Sequence, residues 1–277
     1  MEENKEFVLT NDNYHSAEAR HHYMGVSLFK QFEQCEVMGL AMANGEIEEE
    51  NSPALLFGSY VDAYFSGELD DFIVKHPEMF TKQGILKSTY ESIIDVIDAI
   101  ENCEDEKGEK IMLKYLNGEK QKIMTGIIAG VPWKIKIDAY HPHKLIVDQK
   151  IMKDMEGVWV KKNGKNVLTN FVMAYGYDKQ GASYQEIVRQ NTGETLPFVL
   201  AVTTKEKYPD NQLIRIDQEY LDLALDAIKA KAPRYWDIIQ GKEKPKGCGR
   251  CPACRKNKKV TGVMSYKNLF EEKEEEY

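Results

Sequence analysis

The sequence predicts a mixed α/β fold, a central sheet flanked by helices. Three observations carry that expectation. Helix-spaced apolar residues recur between 27 and 100, three short Ile- and Val-rich runs follow between 122 and 150, and the remainder returns to helix, strand, strand and helix. The 277 residues suffice for one large domain or two small ones, and no internal repeat divides them.

Residues 1 to 23 are polar, carry the turn signal Asn11-Asp12-Asn13 and hold His15, His21 and His22, which predicts a loose arm. Ser27 can cap a helix running to about Met42, where Leu28, Phe32 and Cys35 share one face. A second helix is expected from Ser52 to Phe65, with Gly58 allowing close packing and Asp62 one turn further on. Ile93, Val96, Ile97 and Ile100 mark a third, and residues 102 to 119 make a polar connection with room for a short helix. The runs 122 to 128, 131 to 138 and 144 to 150 are separated by an Ala-Gly-Val-Pro turn and a His141-Pro142-His143 turn, the pattern of an antiparallel meander. A helix from about Met173 to Gln190, strands at 197 to 203 and near 212 to 216, and a long helix from Gln218 to Ile239 complete the order.

Lys and Arg number 37 against 45 Asp and Glu, a net charge of -8. An acidic total argues against phosphate contact only where charge is evenly spread, and here it is not. From Lys229 to Val260 eleven basic residues stand against two acidic ones, a local +9, so the remainder sums to -17. The polar, acidic start lacks the pattern of a signal peptide, and no uninterrupted apolar stretch approaches the ~18 residues of a membrane span. The expectation is a cytoplasmic chain with no membrane partner. In a reducing compartment five cysteines point to metal chemistry before disulfides, and an odd count suggests four ligands and one bystander.

Strand alternation sorts the candidate site. Trp133, Ile135 and Ile137 fall on one face of their strand, and Lys134, Lys136 and Asp138 on the other; in the next strand Asp148 and Lys150 share a face. Two carboxylates on a rigid sheet can bind Mg²⁺ or Mn²⁺ and leave room for water and a phosphate, with a lysine beside them to orient the water. Strand ends carrying a surface ion pair would give the same spacing. On the following helix Tyr177, Gln180 and Tyr184 lie at i, i+3 and i+7, one face.

Asp138, followed after a hairpin by Asp148-Gln149-Lys150, resembles the core motif of the PD-(D/E)XK nuclease superfamily, and Gln180 with Tyr184 resembles the Gln-x-x-x-Tyr motif of its RecB-type branch. The resemblance implies a PD-(D/E)XK core with N-terminal helices and a C-terminal cysteine knuckle. It implies that Asp138 and Asp148 bind Mg²⁺ or Mn²⁺ together with the carbonyl of Gln149, that Lys150 positions the water, and that Gln180 and Tyr184 support the site. Asp62 stands where that branch carries a His, in Gly58-Ser59-Tyr60-Val61-Asp62, and is the candidate for a further metal ligand.

Cys248, Cys251 and Cys254 form a CxxCxxC run between Pro and Gly residues, which can hold three corners of a tetrahedral Zn²⁺ or of a cubane cluster. The segment from Ser27 to Cys35 resembles the Ser-x-x-x-x-Phe-x-x-Cys start of iron-sulfur nucleases in the same branch. That likeness implies Cys35 as fourth ligand of a [4Fe-4S] cluster, with structural Zn²⁺ as alternative and Cys103 as bystander. With Asn13-Tyr14-His15-Ser16 and Cys35-Glu36, the likeness extends to RecE-like exonucleases of phages and prophages, over residues 13 to 256. It implies a DNA exonuclease resecting duplex ends 5′ to 3′ for a phage annealing protein, and it accommodates a homo-oligomer. A single-strand-specific nuclease of the CRISPR-adaptation type, or a non-catalytic DNA-end-binding protein, would share these motifs. Lys134, Lys136, Arg250, Arg255 and Lys256 are the candidate DNA contacts. The expected organisation is an arm at 1–23, one nuclease domain at 24–260 and an acidic tail at 261–277.

Overall fold

The structure, a computed structural model, describes residues 7–47, 51–162, 164–256, 258–260, 262–263 and 265–266. The acidic run of the expected tail, Glu271 to Glu276, lies outside them. The chain opens with α1 (Ala17–His22), α2 (Val26–Gln34) and α3 (Glu36–Ala43), followed by α4 (Pro53–Ser66), α5 (Leu69–Lys75), α6 (Ile93–Asn102) and α7 (Ile111–Leu116). Strands β1 (Glu119–Ile128), β2 (Val131–His141) and β3 (Leu145–Met152) form the meander. A hairpin, β4 (Val158–Lys162) and β5 (Lys165–Thr169), comes next, then α8 (Phe171–Tyr175), α9 (Tyr177–Thr192), β6 (Phe198–Thr204), β7 (Asn211–Arg215), α10 (Gln218–Ile239) and α11 (Pro252–Lys256).

The main sheet has the order β1-β2-β3-β6-β7. β3 and β6 are parallel, joined by a crossover through α9, while the other neighbours are antiparallel. β6 is buried at every position, as suits a strand covered on both faces. Alternation divides the sheet's side chains between two cores: Ile146, Leu200 and Val202 pack with Phe29, Phe32 and Ile187, while Val147 and Ala201 pack with Val61, Val96 and Met112. The result is three layers, with α2, α3, α9 and α10 on one side and α4, α6 and α7 on the other.

Four sequence expectations are corrected. The arm is not loose over residues 7–23: Ser16 caps α1 by accepting from the Ala19 N–H at 3.1 Å, and Ala19 is fully buried. The helix expected from Ser27 to Met42 starts at Val26 and breaks at Cys35, whose backbone is extended (φ -165°, ψ 119°). The helix expected from Met173 is two, hinged at Gly176 in the left-handed conformation (φ 67°). The region before it holds the unforeseen β4–β5 hairpin. Gly58 does not mediate close packing, because a Cβ there would meet nothing within 4 Å. The start of α4 follows expectation, with Ser52 accepting from the Leu55 N–H and Pro53 in the first turn.

Candidate active site

β2 and β3 pair at Ala139 with Val147, Tyr140 with Ile146 and His141 with Leu145, and then separate. Continuing that register sets Asp138 opposite Asp148 at the point where the strands part. One hydrogen bond from the backbone of β3 to a β2 side chain spans the opening: the Gln149 N–H donates to Asp138 Oδ2 at 2.8 Å. Asp148 is almost completely buried, with the Lys150 ammonium against Oδ2 and Gln180 Nε2 donating to Oδ1 at 2.6 Å. The Lys150 ammonium also donates to the Gln149 carbonyl at 3.3 Å, so the carbonyl assigned to the metal faces the same space.

α9 reaches this position because Gly181 lets it lie against the sheet. A Cβ there would stand 2.7 Å from the Phe198 ring and 2.8 Å from Leu221. The adjacent turns then deliver Gln180 to Asp148, the Tyr184 hydroxyl to the Lys136 carbonyl at 2.9 Å, and the Tyr177 ring to within 5.3 Å of Lys150 Nζ. All three helix residues singled out by spacing thus meet the strand motif.

Asp62 enters from α4 and lines the same cleft, of about 410 Å³, with Asp138, Asp148 and Lys150. Gln121 holds it, Nε2 lying 3.3 and 3.2 Å from its two carboxylate oxygens. Gln121 was not foreseen. It lies opposite Asp138 in a gap of the β1–β2 ladder and takes a left-handed φ of 48°, an unusual conformation for a non-glycine that turns its amide into the site. Nor did the sequence place the arm: Tyr14, His15 and Arg20 line the cleft's other wall beside Lys136.

The two walls differ electrostatically. Desolvation, then the charges of Asp148 and Asp62, push the Asp138 carboxyl well above the ordinary range; Asp62 is also raised, mainly by desolvation. Burial works against the Lys150 ammonium, but Asp148 and Asp138 outweigh it and raise its pKa. On the opposite wall, burial and the cations Lys136, Lys134 and Arg20 lower His15 to about 4. Burial and Arg20 lower Lys134 to about 8. Lys134 departs from its expected role as an outward DNA contact: it is buried, and its ammonium donates to the Tyr14 carbonyl, fastening the arm. Lys136, over the Tyr14 ring at 5.5 Å, is the lysine of that face left lining the cleft.

Three carboxylates converging on one cleft, each oxygen-donating and two with raised pKa values, form a donor set for a hard divalent cation. The residues fit Mg²⁺ or Mn²⁺: Asp138, Asp148 and Asp62, with the Gln149 carbonyl.

The second centre lies where α2 meets α3. Cys35 and the knuckle cysteines Cys248, Cys251 and Cys254 bring their sulfurs within 4.8 Å of one another. Backbone N–H groups turn toward them: Cys248 N–H to Cys35 Sγ at 3.3 Å, Cys251 N–H to Cys248 Sγ at 3.3 Å and Cys254 N–H to Cys251 Sγ at 3.4 Å. Amide donation from Arg250 and Cys251 lowers the Cys248 thiol to about 6 and favours its thiolate, whereas burial pushes Cys251 up. Glu36, next to Cys35, clamps the segment leading into the knuckle by pairing with Arg234 at 2.8 and 2.9 Å and accepting the Lys246 N–H at 2.6 Å. Cys103 stands apart as the C-cap of α6.

The basic segment is more divided than its sum suggested. Lys229, Lys231, Arg234 and Lys242 are engaged with acidic neighbours, whereas Arg250, Arg255 and Lys256 are exposed and make no ion pair among the described residues.

A family model described as a PDDEXK-like domain of unknown function matches residues 25–257. The chain belongs to this PDDEXK-like family. The matched stretch takes in every carboxylate of the cleft, Gln121, Lys150, Gln180 and all four clustered cysteines, but not Tyr14, His15 or Arg20. Among solved structures, one from Eubacterium rectale described as a "Putative exonuclease" is 43% identical, with a TM-score of 0.87 over 95% of this chain and 98% of that one. No curated protein matches. The five-stranded mixed sheet flanked by helices is thus that of a PDDEXK-like domain.

Proposed function

We propose that the chain is a divalent-metal-dependent DNA exonuclease that hydrolyses phosphodiester bonds. The observation that carries this is the convergence of Asp138, Asp148, Asp62 and Lys150 where β2 and β3 part. The description of the Eubacterium rectale structure supports the exonuclease reading. Mg²⁺ or Mn²⁺, held by Asp138, Asp148, Asp62 and the Gln149 carbonyl, would supply Lewis acidity and an activated water. Lys150, an ammonium anchored on Asp148, orients the water and stabilises charge developing on the phosphoryl oxygens. Gln180 fixes the Asp148 carboxylate and Gln121 fixes Asp62. Tyr184 ties α9 to the backbone of β2. Lys136, Arg20 and the exposed knuckle residues Arg250, Arg255 and Lys256 take phosphates.

The finer reading is resection of duplex ends 5′ to 3′, leaving 3′ strands for a phage annealing protein; it rests on the likeness to RecE-like enzymes. For the cysteines the same likeness supports [4Fe-4S]. Zinc is favoured by one observation: the 3.6 Å sulfur separations of Cys35 from Cys251 and Cys254 approach the edge of a thiolate tetrahedron, about 3.8 Å for Zn–S of about 2.3 Å. Iron and zinc analysis of anaerobically purified protein, with absorbance near ~400 nm, decides.

The deciding assay uses duplex and single-stranded DNA labelled at either end, with Mg²⁺, Mn²⁺ or EDTA. Metal-dependent shortening of duplex from its 5′ ends is the expected result. Cleavage of single strands alone would indicate the single-strand-specific enzyme. No release with either metal, or Asp148→Ala as active as wild type, would refute catalysis at this site.

A further inference from the structure

The β4–β5 hairpin leaves the main sheet directly after the strand bearing Asp148 and Lys150, and returns through α8 to the helix bearing Gln180. Its register pairs Trp159 with Leu168 and Lys161 with Asn166, so these four share a face; Val158, Val160, Val167 and Thr169 share the other. Val158 packs on the main core, which turns the Trp159 face outward. Trp159 is 69% exposed and Leu168 55%. An indole this open, paired across the strands with an open leucine, stabilises little of the fold.

The charge around it is one-sided. The hairpin tip reads Lys161-Lys162-Asn163-Gly164-Lys165, three lysines and no acid. Lys161, on the Trp159 face, and Lys165, paired with Lys162 on the other, are exposed, and neither forms an ion pair among the described residues. Along a strand, Trp159 and Lys161 are about 6.8 Å apart, close to the reach of one unstacked nucleotide. Aromatic rings continue toward the cleft: α8 packs on β4, the half-open Tyr175 ring lies 6.0 Å from Tyr177, and Tyr177 sits 5.3 Å from Lys150 Nζ.

We propose that this face is a track for single-stranded nucleic acid running from the cleft along α8 to the hairpin, with bases stacked on Trp159 and Tyr175 and phosphates held by Lys161. The chemistry selects that occupant. Every base offers a face to an aromatic ring, and a lysine-flanked ring is how sequence-independent strand binding is built. Bases inside a duplex are already stacked and cannot use the indole. A second copy of the chain would set the lysine-rich tips against each other, a like-charge contact that opposes pairing. The track deepens the nuclease reading of the cleft and rests on it for its purpose, since the strand it holds is the one entering or leaving the site.

The test separates the two claims by measuring binding without catalysis. Whole protein in EDTA is titrated with an oligothymidylate while tryptophan fluorescence is followed. Wild type should be quenched. Trp159→Ala should lose the quench and bind on the order of tenfold more weakly, and Trp159→Phe should recover most of the affinity. Lys161→Gln should flatten the slope of log affinity against log salt by roughly 0.7. Unchanged affinity in Trp159→Ala, or no quench in wild type, overturns the track. So does an altered sedimentation of Trp159→Ala with unaltered DNA binding, which would make the face a protein interface. Trp159-dependent binding without metal-dependent hydrolysis would leave the track standing and refute the nuclease reading.

Discussion

Asp138→Asn should abolish hydrolysis and yet stabilise the metal-free protein. Asp138 faces Asp148 and shares the cleft with Asp62, and desolvation together with both charges raises its pKa. Like charges about 5 Å apart at an effective dielectric of about 20 repel by about 3 kcal/mol, which sets the order of magnitude for each pair. The attraction to Lys150 offsets about one such pair, leaving a net of roughly 1–3 kcal/mol. An amide removes the repulsion and can still accept the Gln149 N–H. For a chain of this size each kcal/mol moves Tm by about 2–4 °C, so the variant should melt roughly 2–10 °C higher in EDTA at pH 8. The sign with pH follows from linkage. A carboxyl whose pKa is raised in the folded state binds more protons folded than unfolded, so wild-type stability falls as pH climbs above the ordinary carboxylate value of 3.8. The advantage of Asn should therefore be largest at pH 8 and vanish near pH 4. Mg²⁺ or Mn²⁺ should reverse the order by stabilising wild type alone. Thermal melts of both proteins from pH 4 to 8, with and without metal, check this. A variant that melts lower than metal-free wild type at every pH would refute the assignment of Asp138 to a self-repelling carboxylate cluster.

Gln180→Leu strips a charge-assisted bond from a buried carboxylate, worth about 1.5–3 kcal/mol, so melting should fall by roughly 3–10 °C and activity by about 10–100-fold. Gln121→Leu should leave the fold intact and weaken metal binding about tenfold or more, read by metal titration of activity, because it frees Asp62. Cys35→Ala should empty the cysteine centre and expose the knuckle to protease, while Cys103→Ala should leave metal content and melting unchanged.

The strand motif was legible because its spacing is local: alternation placed Asp148 and Lys150 together, and a short turn set Asp138 beside them. The faces of α9 were legible for the same reason. Gln121 was not, since its role depends on a backbone distortion in a ladder that the residues Lys120-Gln121-Lys122 do not announce. Tyr14 and His15 looked like polar arm residues; what ties this stretch to the cleft is the bond from Lys134 on β2 to the Tyr14 carbonyl, a contact across 120 positions. The break at Cys35 was hidden by helical spacing on both sides, and the thiol's place in the four-sulfur cluster overrides that spacing. The hairpin did carry a signal, Asn163-Gly164, but its flanking runs were too short and lysine-rich to stand out.

The clasp at Cys35 also sets a timetable. Ser27, Leu28 and Gln31 on α2 line the cleft, and the same helix ends at a sulfur whose partner Cys248 lies 213 positions later. A contact of such long range closes late, because the intervening loop must be ordered first. On the ribosome, the sulfur clasp at the end of α2 cannot form until the knuckle has been synthesised. The last tie on the α2 wall of the cleft is therefore made only once the C-terminal part of the chain has emerged.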